Sequence, residues 1–219
     1  HADRVMFETP ILMYTGLKQL RELDQAHYRS DTLPLNYDPK EGLEAAIKRL
    51  CLEADDLVRN QKTVILVLSD RKIQKGLLPI PAAMAVGAVQ KHLVDNQLRC
   101  DSNIIVETAS VRDSHQFAVL LGLGATAIYP YLAYETVEQM VEHGQIELTA
   151  RQAVLNYRNG INKGLLKILS KMGIATIASY RCAGLFEVIG LNQNIMQLCF
   201  PDLPSRIQGA DFTEIEQDN

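Results

Sequence analysis

The stretch Asn103–Thr136, NIIVETASVRDSHQFAVLLGLGATAIYPYLAYET, constrains the fold more than any other part of the chain. It reads as strand, loop, helix, turn, strand, loop, helix. Asn103–Val106 is a short β-branched run, suited to a strand covered on both faces. Ser110 stands as a helix cap, with Asp113 three residues on in the position that Glu takes in a capping box. Phe117, Ala118, Leu120 and Leu121 supply the apolar face. Gly122-Leu123-Gly124 stops the helix, and a positive φ is expected at Gly124. Ala125–Ile128 gives the next strand, broken by Tyr129-Pro130-Tyr131. Two strands joined by a helix of this length form a parallel βαβ unit with a right-handed crossover.

The rest of the chain extends the same alternation. Residues 1–13 read as an extended arm, Gly16–Leu23 as a short helix and His27–Asp38 as extended chain or strand. Asp38 is placed to cap the next helix, with Pro39 at its first position and Glu41 completing the box. Its apolar positions Leu43, Ala46, Ile47, Leu50, Ala54, Leu57 and Val58 keep helical spacing to about Asn60. Thr63–Leu68 is an uninterrupted strand, Lys72–Leu78 a loop, and Pro81 opens a helix running to Leu93. Gly87 in that helix either marks close packing on the sheet or is a tolerated helix glycine. Leu132–His143 forms a further helix. Thr149 and Gln152 make a capping box for a long one that ends at Met172, with Gly173 after it. Gly160 and Gly164 in it either admit a close neighbour or break it. Ile174–Ile177 reads as the fourth strand of the series, parallel to the others. Arg181–Ile189 and Asn192–Leu198 read as short helices. The expected organisation is a single domain over 1–219, with an irregular N-terminal arm (1–38), a βα core (39–210) and a frayed acidic tail (211–219).

Composition narrows the function class. The 219 residues are 47% hydrophobic, enough for a substantial core, and the net charge of −4 with no basic tract argues against nucleic acid. No apolar run approaches the ~18 residues of a membrane span, and no signal peptide is recognisable. His1 has no initiator Met before it, so the chain reads as a fragment. Cys51, Cys100, Cys182 and Cys199 lack C-x-x-C spacing, which favours free buried thiols over a metal site.

Parallel strands with helical crossovers bring their carboxyl ends to one face, where an α/β barrel places chemistry. That face should carry Ser69, Asp70 and Arg71, then Glu107, Arg112 and His115, then Tyr129 and Tyr131, then Ser179, Tyr180 and Arg181. Glu107, Arg112 and His115 are types suited to acid–base work on an anion. No nucleophile or metal set completes them, which favours a network that fixes loops or docks a neighbouring domain. No GxGxxG or Walker pattern offers a phosphate cradle. Lys163, Lys167 and Lys171 form one stripe along a helix, either a solvated face near its C-terminus or a surface for an acidic partner.

Several of these motifs resemble one family. Val106, Glu107, Thr108, Arg112, His115 and Ala118, then Gly122, Gly124, Ala125, Ala127, Ile128, Pro130, Tyr131, Leu132, Glu135 and Thr136, match the central domain of the glutamate synthase large subunit. So do Asn156-Tyr157-Arg158, Lys163–Lys167, Ser170–Ile174, Thr176, Ser179-Tyr180-Arg181, Phe186-Glu187 and Gly190-Leu191. Ser110, Tyr129, Cys182-Ala183-Gly184 and Pro201-Asp202-Leu203 depart from its pattern. The resemblance covers about Thr9 to Gly209. It implies an α/β domain with a mainly parallel sheet, a reduced relative of the TIM barrel; an open flavodoxin-like sheet is the alternative that strand order must decide. It implies an oxidoreductase that makes glutamate from glutamine and 2-oxoglutarate, using FMN and an iron–sulfur cluster held elsewhere in the full-length enzyme. Within the chain itself no catalytic, cofactor or metal residue is expected, and the fragment alone should be inactive. The implied partners are the amidotransferase and FMN-binding domains of the same polypeptide, with ferredoxin or an NADPH-oxidising small subunit as electron source. The implied compartment is the cytoplasm, or the plastid stroma in a plant. A free-standing flavin- or anion-binding enzyme using the Glu107, Arg112 and His115 loop is the competing reading.

Overall fold

The structure is a computed structural model that describes residues 5–23 and 28–218. The element series begins with α1 (Tyr14–Arg21), β1 (Arg29–Pro34), β2 (Asn36–Tyr37), α2 (Leu43–Arg59), β3 (Thr63–Ser69), β4 (Leu78–Pro79) and α3 (Ala82–Asp95). A 3-10 turn at Arg99–Asp101 leads into β5 (Asn103–Glu107), α4 (Ser114–Leu123), β6 (Ala127–Tyr129), α5 (Tyr131–Glu142) and α6 (Ala150–Lys171). The last part holds α7 (Ile177–Tyr180), β7 (Ile189–Leu191), α8 (Gln193–Cys199), β8 (Ile207–Ala210) and α9 (Phe212–Asp218).

The main sheet has the order β1-β3-β5-β6, and all its pairs are parallel. Each new strand is added at the same edge. With right-handed crossovers, this sequential order puts every connecting helix on one face. In agreement, α2 packs on α3, and α3 on α4. A flavodoxin-like sheet instead reverses direction at a switch point and carries helices on both faces. The molecule is therefore an arc of barrel-like βα units, and among the described residues it does not close.

Beyond β6 the N-terminal arm takes the next strand position. Leu12 N–H donates to the Ile128 carbonyl and Ile128 N–H to that of Pro10, both at 2.8 Å. Side chains from the last long helices hold the arm. Arg158 Nε donates to the Ile11 carbonyl (2.9 Å), Tyr134 Oη to that of Leu12 (3.0 Å), and Thr9 Oγ1 to Asn162 Oδ1 (2.5 Å). The first two bonds occupy the Ile11 and Leu12 carbonyls of the edge, so side chains and not a further strand cover them.

Three expectations about the sheet are corrected. Ile174–Ile177 is not its fourth strand; the segment is half-exposed chain leading into α7, where the Thr176 hydroxyl accepts from Ser179 N–H. The fourth strand is β1, Arg-Ser-Asp-Thr-Leu-Pro, at the opposite edge. Its polar sequence suits an edge that buries mainly Leu33. The 1–38 segment therefore contributes a helix and a sheet strand, and is not merely an irregular arm. The extended reading that began at His27 starts outside the described residues.

Helix ends differ in instructive ways. Asp113, not Ser110, caps α4, and Gln116 completes the reciprocal box. Asp38–Glu41 forms a turn before α2, whose cap position is Gly42. The missing side-chain cap comes from α9. Glu216 accepts from Leu43 N–H at 2.6 Å and from the Tyr37 hydroxyl at 3.1 Å, placing a carboxylate at the positive end of α2. The tail before Asn219, itself outside the described residues, is thus a packed helix and not a frayed end. Thr149 accepts from Gln152 N–H, but the Gln152 amide turns to Asn156, so that box is half made. Arg181–Ile189 is irregular chain leading to β7, which pairs with β8; Cys182 holds a positive φ of 55°.

Gly124 ends α4 at φ 125°, as its position predicts. Gly164 lies against Ser114 and brings α6 onto α4, whereas Gly160 faces open space. Gly87 does not pack on the sheet: it brings α3 against the Cys199 carbonyl of α8. One core cluster runs from Ile11 to Phe212.

Candidate functional site

Register builds the site. Ser69, Glu107 and Tyr129 are Cα partners across β3, β5 and β6, so they form one row at the carboxyl end of the sheet. Partners in a parallel pair share a face, and this row looks away from the crossover helices, towards α1. Beneath it lies the row Val67, Ile105 and Ala127.

Glu107 is 1% exposed and centres the network. Its carboxylate accepts from Ser69 Oγ at 2.5 Å and from Arg21 Nη2 at 2.6 Å. Arg71 Nη1 stands 3.6 Å away and adds a second positive charge. Arg71 also donates to Glu135 at 2.8 Å, and its guanidinium lies 4.9 Å above the Tyr131 ring. The neighbouring Asp70 accepts from Thr108 Oγ1 at 2.6 Å and from Ala109 N–H at 3.1 Å, tying the loop after β3 to the loop after β5. Burial raises the Asp70 pKa above the ordinary carboxylate value, with Glu107's charge adding to the rise, despite the Thr108 and Ala109 bonds. An aromatic file of Tyr14, Tyr129, Tyr134 and Tyr157 continues from the network, with successive centroids 6.5, 5.8 and 5.9 Å apart.

The expected residues are only partly brought together. Ser69, Asp70, Arg71, Glu107, Tyr129 and Tyr131 do converge. Arg112 and His115 do not join Glu107. Both are exposed at the start of α4, where the Arg112 carbonyl accepts from Tyr157 Oη at 2.8 Å and the His115 ring meets Phe186 at 6.4 Å. Tyr180 and Arg181 lie at the opposite end. Helix α4 runs from the carboxyl end of β5 to the amino end of β6. Its Gly122 carbonyl accepts from Cys182 N–H, while Arg181 Nη1 donates to Thr126 just before β6. Without a strand at Ile174–Ile177, nothing carries this loop to the carboxyl end. Lys163, Lys167 and Lys171 are exposed along α6. Arg21 and Glu135 were missed. Glu135 sits in a matched motif, but nothing local marks Arg21, which is 86 residues from its partner.

Several loop residues use their backbone donors within the loops. Arg71 N–H goes to Ser69 Oγ, Ser110 N–H to Thr108 Oγ1, and the N–H groups of Arg112 and Asp113 to Gln116. Pro130 has no N–H to offer. Phosphate cradles depend on free, convergent backbone donors; the donors of Ser110, Arg112 and Asp113 are already used and Glu107 adds a buried carboxylate, both unfavourable to a flavin phosphate. The thiols do not fit a cluster either. Cys51 and Cys199 are buried, while Cys100 and Cys182 are exposed, against the expectation that all were buried. Among the described residues no three His, Cys, Asp or Glu side chains are grouped to hold a metal ion.

The tyrosines make the domain sensitive to alkali. Burial raises the phenol pKa values of Tyr129, Tyr131, Tyr134 and Tyr180, and pushes Tyr157 up to about 12. A phenol whose folded pKa is raised lends stability that is complete below its unfolded value, about 10. That stability is lost as pH rises through the folded values. The urea midpoint should therefore fall steeply above pH ~10, and Tyr134→Phe should flatten the fall. A midpoint that stays level through this range would contradict the burial.

Comparison with known proteins identifies the family. The model of the glutamate synthase central domain matches residues 1–192. The chain belongs to that family. The central domain is 34% identical over 215 residues to the NADPH glutamate synthase large chain of Bacillus subtilis, covering 98% of this chain and 14% of that one. It is 38% identical over 234 residues to the chloroplastic/mitochondrial ferredoxin-dependent glutamate synthase 1 of Arabidopsis thaliana, covering 100% and 14%. Identity to the NADH glutamate synthase of Saccharomyces cerevisiae is 34% over 229 residues, covering 99% and 11%. The central domain thus spans 14% or less of these relatives. Among solved structures it is similar to a flavocytochrome b2 variant with sulfite bound, at TM-score 0.52 and 12% identity, covering 85% of this chain and 44% of that one. Another variant, with benzoylformate, gives TM-score 0.50 and 13% identity over 78% and 37%. At such identities the likeness is one of fold.

Proposed function

We propose that this central domain is the connecting scaffold of a glutamate synthase. It holds the glutamine amidotransferase domain and the FMN-binding synthase domain in register for glutamate formation from glutamine and 2-oxoglutarate. The observation that carries the reading is the carboxyl end of the sheet. Where a barrel enzyme would open a site, Glu107, Arg21 and Ser69 pair with one another, and the N–H groups of Arg71 and Arg112 are used internally. A catalytic acid or base needs a reacting group within hydrogen-bond reach; Glu107 is occupied and buried. The fragment alone then has no activity, and FMN and the iron–sulfur cluster belong to other parts of the enzyme. Ferredoxin and reduced nicotinamide remain equal choices of donor, because relatives named for each have similar identity. The compartment follows the parent: cytoplasm, or plastid stroma in a plant.

On this reading the exposed Arg112, His115 and lysine stripe of α6 are docking groups. Arg112→Ala in the full-length enzyme should loosen domain contacts, seen as faster limited proteolysis between domains, while changing turnover by less than about tenfold. An Arg112→Ala enzyme that keeps its stability and flavin yet loses ~100-fold in turnover would make the loop catalytic.

A further inference from the structure

The amino end of the same sheet face is built differently from the closed carboxyl end. A cavity of about 500 Å³ lies there, walled by Ile65, Ile105 and Ala127 of the sheet, Leu20 of α1, Phe7 of the arm and Ile177 of α7. Its volume falls in the range of small-molecule sites, and its walls are mainly apolar. Arg181 reaches into this lining. One of its donors, Nη1, goes to Thr126 Oγ1 at 3.3 Å, whereas Nε is buried with no partner among the described residues. A buried guanidinium N–H left unpaired is costly; Nη2, which is not buried and has no partner among the described residues, is the donor open to an acceptor.

A second cation stands nearby. Arg99 donates to the Gln90 amide oxygen and to the carbonyls of Ser102 and Gly124, all of them neutral acceptors. Burial, and then repulsion from Arg181, lowers its pKa. Among the described residues neither arginine is in an ion pair with a carboxylate. Among the described residues no carboxylate stands within ion-pair distance of the positive charge at this end. Glu8, exposed at the rim, disfavours a ligand carrying a second negative charge.

We propose that this cavity binds a monocarboxylate with an apolar body. The carboxylate accepts from Arg181, and the body lies along Ile65, Ile105 and Ala127. The ligand gains charge-assisted hydrogen bonds and apolar burial together. The proposal is independent of the scaffold reading, because it uses the opposite end of the sheet.

Calorimetric titration of the chain with octanoate, octan-1-ol and acetate tests it without any variant. Octanoate should bind saturably, one per chain, and at least about tenfold more tightly than either control, since each control lacks one of the two recognition elements. Arg181→Met should weaken octanoate by about tenfold or more, and Ala127→Phe, which fills the cavity with Arg181 intact, should abolish binding. Absence of saturable octanoate binding would overturn the proposal. So would equal affinity for octan-1-ol or acetate, or unchanged affinity in either variant when it is folded.

Discussion

Gly87→Val should destabilise the domain by about 3 kcal/mol or more. A Cβ at Gly87 would stand 2.1 Å from the Cys199 carbonyl oxygen and 3.1 Å from the Phe200 ring. A flexible side chain could swing away from such a contact. A backbone oxygen at the end of α8 can move only if the helix moves. The backbone of α8 is tied to its neighbours through the buried side chains of Ile195, Met196 and Cys199. A helix glycine chosen only for tolerance would behave oppositely, since replacing it gains helix propensity. Gly160 supplies that control: it is exposed in α6 with nothing within 4 Å of an added Cβ. Gly160→Ala should stabilise by up to about 1 kcal/mol. Urea unfolding of the two variants checks the pair, and a neutral Gly87→Val would refute the close approach of α3 to α8.

Arg21→Met should cost about 2–3 kcal/mol. It removes the nearer cation from a carboxylate whose side chain is 2% exposed and leaves Arg71 too distant for a good hydrogen bond. Arg21 itself is 34% exposed, so water tempers the loss below that of a fully buried pair. The informative comparison is the double variant. With Glu107→Gln added, no buried charge remains to be stranded, and the combined cost should be clearly less than the sum of the single costs. Additive effects would mean that Arg21 acts through packing alone. Both outcomes can be read from urea midpoints at neutral pH.

The parts of the fold legible in the sequence were those whose signal is local and apolar. Thr63–Leu68 and Asn103–Val106 are β-branched runs buried on both faces, and the sheet contains both. Gly124 announced its backbone conformation because it stands between an apolar helix and a buried strand. The edge strand β1 was legible only as extended chain or strand over His27–Asp38, because an edge carries polar residues and Arg-Ser-Asp-Thr-Leu-Pro has no apolar run that places it in the sheet. The opposite error came at Ile174–Ile177, where an apolar stretch after a helix C-cap imitates a strand, yet the chain turns into α7 half-exposed. Capping failed at α2 for a different reason. Asp38-Pro39 has the chemistry of a helix start, but the acceptor that serves Leu43 N–H is Glu216, from the far end of the chain. The candidate site shows the same division. Ser69, Asp70, Arg71 and Glu107 were legible because strand ends in a parallel sheet converge. Arg21 was not, because it meets Glu107 only through the placement of α1 on the inner face of the arc. Arg181 was put at the wrong end for want of a strand to carry it.

On the scaffold reading the carboxyl end of the sheet is closed by its own side chains and takes no cofactor. Titration of the chain with FMN, followed by flavin fluorescence and calorimetric heat, tests it most directly. The expected result is no saturable quenching and no heat beyond dilution, because Glu107, Arg21, Ser69 and the tyrosine file occupy the row and the N–H groups of Ala109, Ser110, Arg112 and Asp113 are already bonded. Saturable binding in the low micromolar range, roughly −8 kcal/mol, would contradict the account and establish this end of the sheet as a flavin site.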